Sequence, residues 1–309
     1  MSTPILVTGG SGQLALGLER EAGRRGIALR RVGRPQVDFD RPESLDAALA
    51  EAAPWLVVNA AAYTAVDAAE TDADAARRAN RDGPARLAKL CEAAGIPLIH
   101  VSTDYVFDGS KGAPYVETDP TAPAGVYGVT KLAGEQAVRV ACRRAVILRT
   151  SWVYSAGGKN FLLTMLNAAR KTDRLRVVAD QRGSPTTAAD LAAAILDIAE
   201  LLRARSATDV AGVYHACGTG WTTWHGFAEA IFAEAAKFGH PVPSVEAIRT
   251  EDWPTPARRP ADSRLDCAKL FGTFGVRLPP WRESLARTVA EILSGSATNS
   301  TVSLGAHFR

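Results

Sequence analysis

A chain of 309 residues, 47% hydrophobic and 22% charged, has room for one large α/β unit with a smaller second lobe, and its composition excludes wholesale disorder. Lys and Arg number 36 against 33 Asp and Glu and are scattered rather than blocked, so no nucleic-acid partner is expected. Four widely spaced cysteines without a CxxC pair argue against a disulfide framework or a zinc knuckle, and no run of about 18 apolar residues offers a membrane span. The opening MSTPILVTGG enters a strand-like run with no basic leader or cleavage site. The expectation is a cytoplasmic protein with reduced thiols and no export signal.

Continuous apolar runs rich in β-branched residues recur at Pro4 to Thr8, Leu29 to Val32, Trp55 to Asn59, Leu98 to Ser102 and Ala145 to Thr150, as in strands buried on both faces of a parallel sheet. Helical periodicity separates them at Ser44 to Ala53, Asp72 to Ala94 and Tyr127 to Val140. The alternation predicts an α/β fold with a doubly wound parallel sheet, whose ligands sit at the carboxyl ends of the strands. Beyond it, turn-rich stretches at Gln181 to Pro185 and Trp253 to Pro260 mark a smaller mixed α/β substrate-binding lobe. Leu191 to Leu202 reads as a helix and Val213 to Ala216 as a strand returning to the first domain. The expected division is 1–151 plus part of 171–213 for the dinucleotide-binding domain, 152–170 and 214–293 for the lobe, and a flexible tail over 294–309 that is small and polar at its start.

Directly after the first strand, Gly9-Gly10-Ser11-Gly12-Gln13-Leu14-Ala15 fits GxxGxxA from Gly9 and GxGxxA from Gly10. In either register a glycine makes the tight turn, Gly12 lets backbone approach a pyrophosphate, and Ala15 lets the next helix pack closely, its N-terminus facing the anion. The second strand ends basic, at Arg34, where an acidic residue would hold the ribose of NAD. Arg34 is therefore expected to pair with the 2′-phosphate of NADPH.

Tyr127 and Lys131 stand i, i+4 on one helix face, behind Pro123 and Gly125 at the helix entry, and Thr103 ends the fourth strand. Carbonyl reduction needs a proton for the developing alkoxide, and tyrosine is a weak acid unless a nearby cation favours tyrosinate. Lys131 is expected to supply that cation, and Thr103 a hydrogen bond to the substrate oxygen. The five histidines show no ligand spacing, and no metal site is expected. His100 reads as a core residue, and Trp152, just past the fifth strand, stands where it can touch substrate.

Five segments together resemble the dTDP-4-dehydrorhamnose reductase family over nearly the whole chain: NAAAYTAVD at 59–67, STDYVF at 102–107, VYGVTKLAGE at 126–135, RTSWVY at 149–154 and PTPARRP at 254–260. The resemblance implies a Rossmann-type fold, NADPH (preferred) or NADH as hydride donor, and a nucleotide-linked 4-keto sugar as substrate. Gly9, Gly12, Gln13 and Leu14 then fall at the pyrophosphate, Asp38 and Phe39 beside the adenine, and Ala60, Ala61 and Thr64 along the nicotinamide half. Thr103, Tyr127 and Lys131 match the family's catalytic set, the last two also touching cofactor. Val66, Asp104 and Trp152 line the sugar pocket, and Asn160 and Arg259 the nucleotide diphosphate. Related extended enzymes are epimerases and dehydratases, the latter wanting a further acid and base after the threonine, where Asp104 is followed by Tyr105. A further relative, the regulatory subunit of a methionine adenosyltransferase, only binds, and intact Thr103, Tyr127 and Lys131 argue against that role. Some members of the family dimerise around Mg²⁺ held by glutamates, one of them at the position of Gly17 here, which Glu19 does not replace from the same helix face. The expected assembly is a monomer or a metal-independent homodimer.

Overall fold

The computed structural model describes residues 3–41 and 43–301. Five of the predicted strands form as β1 (Ile5–Thr8), β2 (Leu29–Val32), β3 (Leu56–Asn59), β4 (Leu98–Thr103) and β5 (Ala145–Thr150). Between them run α1 (Gln13–Arg25), α2 (Glu43–Ala52), α3 (Val66–Ala69), α4 (Ala73–Arg77), α5 (Gly83–Ala93) and α6 (Val126–Ala141). The second half adds β6 (Val153–Tyr154), α7 (Phe161–Ala169), β7 (Arg174–Val178), β8 (Arg182–Gly183), β9 (Thr186–Thr187), α8 (Ala188–Ala204), β10 (Gly212–His215), β11 (Thr222–Thr223), α9 (Trp224–Ala236), β12 (Ser244–Ile248), α10 (Ala268–Phe274) and α11 (Trp281–Thr301). The expectation of a loose tail over 294–309 lies, past Thr301, outside the described residues.

Six strands pair in the order β2-β1-β3-β4-β5-β10, all parallel. The order reverses direction between β1 and β3, which opens the crevice where such sheets take their ligands. One face is covered by α1, α8 and α10, whose Leu18, Leu191, Ile195 and Leu270 join Ile5, Val58 and Ile99 in one core. On the other face Leu45, Leu87, Cys91 and Val138 of α2, α5 and α6 pack on Leu6, Val57 and Ile147. The inner strands are apolar on both sides for that reason, while β2 at the edge is mostly half-buried. A third core, with Leu162, Phe227, Phe232, Trp281 and Leu285, lies in the smaller lobe, where β7 pairs with β12 and β8 with β11.

The helix expected over Asp72 to Ala94 changes register midway, with a π-turn at Arg78–Asp82 between α4 and α5. Pro84 accounts for it. Proline has no N–H to give to the carbonyl four residues back, which here is that of Asn80, so the regular ladder cannot pass this point. Buried Asn80 then works sideways. Its amide receives Tyr63 N at 2.8 Å and donates to Thr130 Oγ1 at 3.1 Å, tying the loop after β3 to α6.

Candidate active site

A row of buried polar groups crosses the central strands under the crevice. Thr8 Oγ1 donates to Asn59 Oδ1 (2.6 Å), and Asn59 Nδ2 meets His100 Nδ1 (2.9 Å), which must accept. Burial holds the His100 imidazole well below its ordinary pKa, so it is a neutral core group, as expected from its place in β4. Above this row sits the glycine loop. Gly9 and Gly10 have φ of 107° and 47°, and a Cβ on Gly9 would lie 2.9 Å from the Ala60 carbonyl. The loop is thus pressed against the end of β3, in backbone that only glycine adopts cheaply. Gly12 caps α1 with no side-chain hydrogen bond, leaving first-turn N–H groups to face an anion. These features fit a dinucleotide pyrophosphate on observation of the chain itself.

Other predicted cofactor residues gather around the loop. Leu14 is buried and anchors α1, while the Gln13 amide oxygen receives Ser155 Oγ at 2.8 Å and Asn160 Nδ2 at 2.9 Å. Phe39 packs over Gly83, and the backbone N–H of Asp40, with Arg34 paired at 3.2 Å, holds the Asp38 carboxyl below its usual range. Arg34 is exposed and also reaches Asp40 at 3.3 Å. Ala60 and Ala61 are half-buried and Thr64 is exposed, all on the loop leaving β3.

Thr103, at the end of β4, accepts Tyr105 N at 3.2 Å and donates to Asp104 Oδ1 at 3.0 Å. Half-buried Tyr127 lies one residue into α6, whose first N–H (Val126) is received by Glu70 Oε1 at 2.8 Å. Its ring meets Tyr105 edge-on at 5.5 Å. Burial pushes the Tyr127 phenol up to about 12, helped by the Asp104 charge and opposed by the Thr103 hydroxyl. Lys131 follows on the same face, buried, with Nζ donating to Val101 O at 2.7 Å; burial brings its ammonium down to about 8, against the pull of Glu135. The chain by itself thus raises the tyrosine, where the sequence led us to expect a lowering by Lys131, because burial and the Asp104 charge outweigh the Thr103 hydrogen bond.

Asp104 is buried, with Oδ2 unpartnered, and burial lifts its carboxyl to about 6 despite the nearby Ser263 and Thr103 hydroxyls. The folded protein therefore holds this proton between the ordinary value of 3.8 and about 6, where the unfolded chain releases it. The stability it contributes is present below about pH 4 and is lost as pH rises through 6. Asp104→Asn should abolish this loss. The melting temperature of the variant relative to wild type is expected to climb between pH 4 and 6, by the equivalent of at most about 3 kcal/mol; a flat difference would refute the buried charge.

Trp152 has a left-handed φ of 46°, rare for a bulky residue and a mark of strain held by its surroundings. It stacks on Trp224 at 3.6 Å and 7°, and a Cβ on Gly183 would strike its ring at 2.3 Å. Gln181 Oε1 accepts Trp224 Nε1 at 3.2 Å. Val66 opens α3, next to Asp67, whose carboxylate takes Arg259 through both terminal nitrogens at 3.1 and 2.8 Å. Arg259 is thereby tied to α3, and the Asn160 amide is engaged by Gln13, Ser155 O and Gly157 O while its Oδ1 caps α7. Sequence reasoning passed over Glu70, Trp224 and Ser263. A glutamate seen at a helix entry 56 residues away leaves no local signal, and only the TTW string at 222–224, a cap before an aromatic helix, hinted at the second indole.

A doubly wound sheet with a glycine cradle at its crevice, and a Thr, Tyr and Lys set at the ends of β4 and α6, defines the extended short-chain dehydrogenase/reductase class. Residues 3–294 match the family model described as RmlD substrate binding domain, and the chain belongs to that family. The dTDP-4-dehydrorhamnose reductase of Sinorhizobium fredii is 45% identical over 289 residues, spanning 94% of this chain and 97% of that protein. The crystal structure of a Clostridium acetobutylicum dTDP-4-dehydrorhamnose reductase superposes with a TM-score of 0.86 at 33% identity, covering 94% of this chain and 99% of that one. That of a Bacillus anthracis dTDP-4-dehydrorhamnose reductase in complex with NADP gives 0.85 at 32%, covering 94% and 100%.

Proposed function

We propose that the chain reduces the 4-keto group of dTDP-4-dehydro-L-rhamnose to give dTDP-L-rhamnose, with NADPH preferred over NADH. The observation that carries it is Tyr127 beside Thr103 at the carboxyl end of β4, in the crevice headed by the glycine loop. When bound, the nicotinamide supplies a hydride to C4 and, once oxidised, a positive ring that favours tyrosinate. Tyr127 gives its proton to the sugar oxygen, and Thr103 donates to the same oxygen as charge builds. Lys131, anchored on Val101 O, keeps further donors for a ribose hydroxyl. Val66, Asp104 and Trp152 hold the sugar. Asn160 and Arg259 are assigned to the diphosphate, each by exchanging a partner it has now. Likeness to relatives named as this reductase supports the substrate.

NADPH consumption with enzymatically made keto sugar, and the product's mass, test the reading; no consumption by protein that binds NADPH would refute it. Arg34 is exposed and shared between two aspartates, so it would turn to a 2′-phosphate by exchanging one of them. Arg34→Ala should raise the KM for NADPH by about tenfold and leave that for NADH nearly unchanged, as expected for one charge-assisted contact. Equal effects on the two cofactors would remove Arg34 from the site.

The protein works in the cytoplasm, as its four free thiols suit, and no helix among the described residues is long and apolar enough to cross a membrane. It acts as a monomer or a dimer that needs no metal. Gly17 faces inward, where an added Cβ would lie 3.0 Å from the Ala188 carbonyl, so this position has no side chain to offer a shared cation.

A further inference from the structure

Two cysteines that the proposed reaction does not use meet face to face. Cys217 follows β10 by two residues, Cys267 caps α10, and their sulfurs stand 3.5 Å apart. Neighbouring backbone holds both in place. Tyr115 N donates to Arg264 O (2.7 Å) and Asp266 N to Tyr115 O (2.8 Å) on one side, while Gly218 N donates to Thr186 Oγ1 (3.1 Å) on the other. A disulfide needs sulfurs about 2.05 Å apart. The pair must therefore close by about 1.5 Å.

The two thiols differ. Cys217 is buried with Val106, Phe107 and Leu265, and its thiol is raised by its hydrogen bond to Cys267 and by burial. Cys267 is partly exposed, and that same hydrogen bond lowers it. The sulfur that ionises more readily thus belongs to the more exposed residue, with a second thiol beside it. Cys91 and Cys142, by contrast, are both buried, and burial raises both thiols.

We propose that Cys217 and Cys267 are a modification site, a dithiol that a peroxide closes reversibly to a disulfide. The Cys267 thiolate attacks one peroxide oxygen, the O–O bond breaks, and the leaving hydroxide takes up a proton to become water. The Cys217 sulfur then attacks the resulting sulfenic sulfur, the S–O bond breaks, and the hydroxyl departs as water with the Cys217 thiol proton. Two thiols are oxidised, and one hydrogen peroxide is reduced to two waters. An external dithiol returns both sulfurs to thiols by exchange. The bridge would fasten the loop after β10 to the segment that carries Ser263 beside Asp104.

The test treats the native full chain with a small excess of hydrogen peroxide, quenches with an alkylating agent, and maps the peptides. The expected protein loses the mass of two hydrogens, joins the Cys217 and Cys267 peptides, and recovers both thiols in dithiothreitol, while Cys91 and Cys142 stay reduced. Cys217→Ser should leave a sulfenic acid on Cys267 that dimedone traps, and Cys267→Ser should leave Cys217 unreacted. Recovery of both as free thiols, or oxidation of Cys267 to sulfonic acid with no bridge in wild type, would overturn the proposal. Because no substrate enters this experiment, its outcome is independent of the reductase reading.

Discussion

Replacing Tyr127 with phenylalanine is expected to lower turnover by about 10²-fold or more while the affinity for NADPH stays close to wild type. The change removes one oxygen and leaves the ring, so the edge contact with Tyr105 and the entry of α6 under Glu70 both survive. The proton that must reach the sugar oxygen does not. Thr103 remains, but a threonine hydroxyl stabilises charge and is too weak an acid to replace the phenol. Within the chain burial pushes the phenol up to about 12, so the chain's own residues keep it protonated and ready to give its proton. The wild-type rate of sugar alcohol oxidation, the reverse reaction, should accordingly rise with pH, and Tyr127→Phe should lose that dependence. Stopped-flow single turnovers, with cofactor affinity measured separately by fluorescence, give both numbers; wild-type turnover in the variant would remove Tyr127 from the chemistry.

The largest expected effect on stability comes from one buried ion pair behind the site. Arg149, on β5, meets Glu135 of α6 through Nε at 2.9 Å and Nη2 at 2.7 Å, with side chains 5% and 2% exposed. Ser102 Oγ adds a third hydrogen bond to the same carboxylate at 2.5 Å, and the guanidinium lies over the Phe107 ring at 5.1 Å. Arg149→Met leaves a carboxylate in the core with the Ser102 hydroxyl and the more distant Lys131 charge to answer it, at a cost of about 3–5 kcal/mol. The double change Glu135→Leu, Arg149→Met should cost clearly less than the single one, because neither charge is left alone. Urea unfolding of wild type, Arg149→Met and the double variant checks this; a single variant within about 1 kcal/mol of wild type would mean that water reaches the pair.

The contrast between what could and could not be read ahead follows from the range of each interaction. Four of the five strands announce themselves because burial on both faces demands apolar, β-branched runs, whereas β2, Leu-Arg-Arg-Val at the sheet edge, is mostly half-buried; only strand ends moved, Pro4 and Trp55 dropping out and Thr103 joining. The glycine loop and the Tyr127 and Lys131 spacing are likewise local. The π-turn was legible too, in the Gly83-Pro84 pair, had the missing N–H been counted against Asn80. Other features were closed to such reading. The direction of the Tyr127 shift depends on burial beside Asp104 at the end of another element, and the backbone of Trp152 on its stacking against Trp224 from another helix. The pairing of Cys217 with Cys267 spans 50 residues, and no spacing rule joins them.

A six-stranded sheet that does not close on itself has two open borders, and an unpaired border invites a strand from another molecule. Here the two are guarded differently. β2 reads Leu-Arg-Arg-Val, and its arginines are held by Glu51 at 2.8 Å and Glu19 at 3.0 Å, so a stranger would have to displace charge to add itself. At the far border Lys269 of α10 donates to the Val213 carbonyl of β10 at 2.7 Å, taking up an acceptor a seventh strand would need. The fold thereby resists edge-to-edge aggregation during synthesis and storage, a property that charge reversal at Arg30 and Arg31 would leave in place and their replacement by valine would remove.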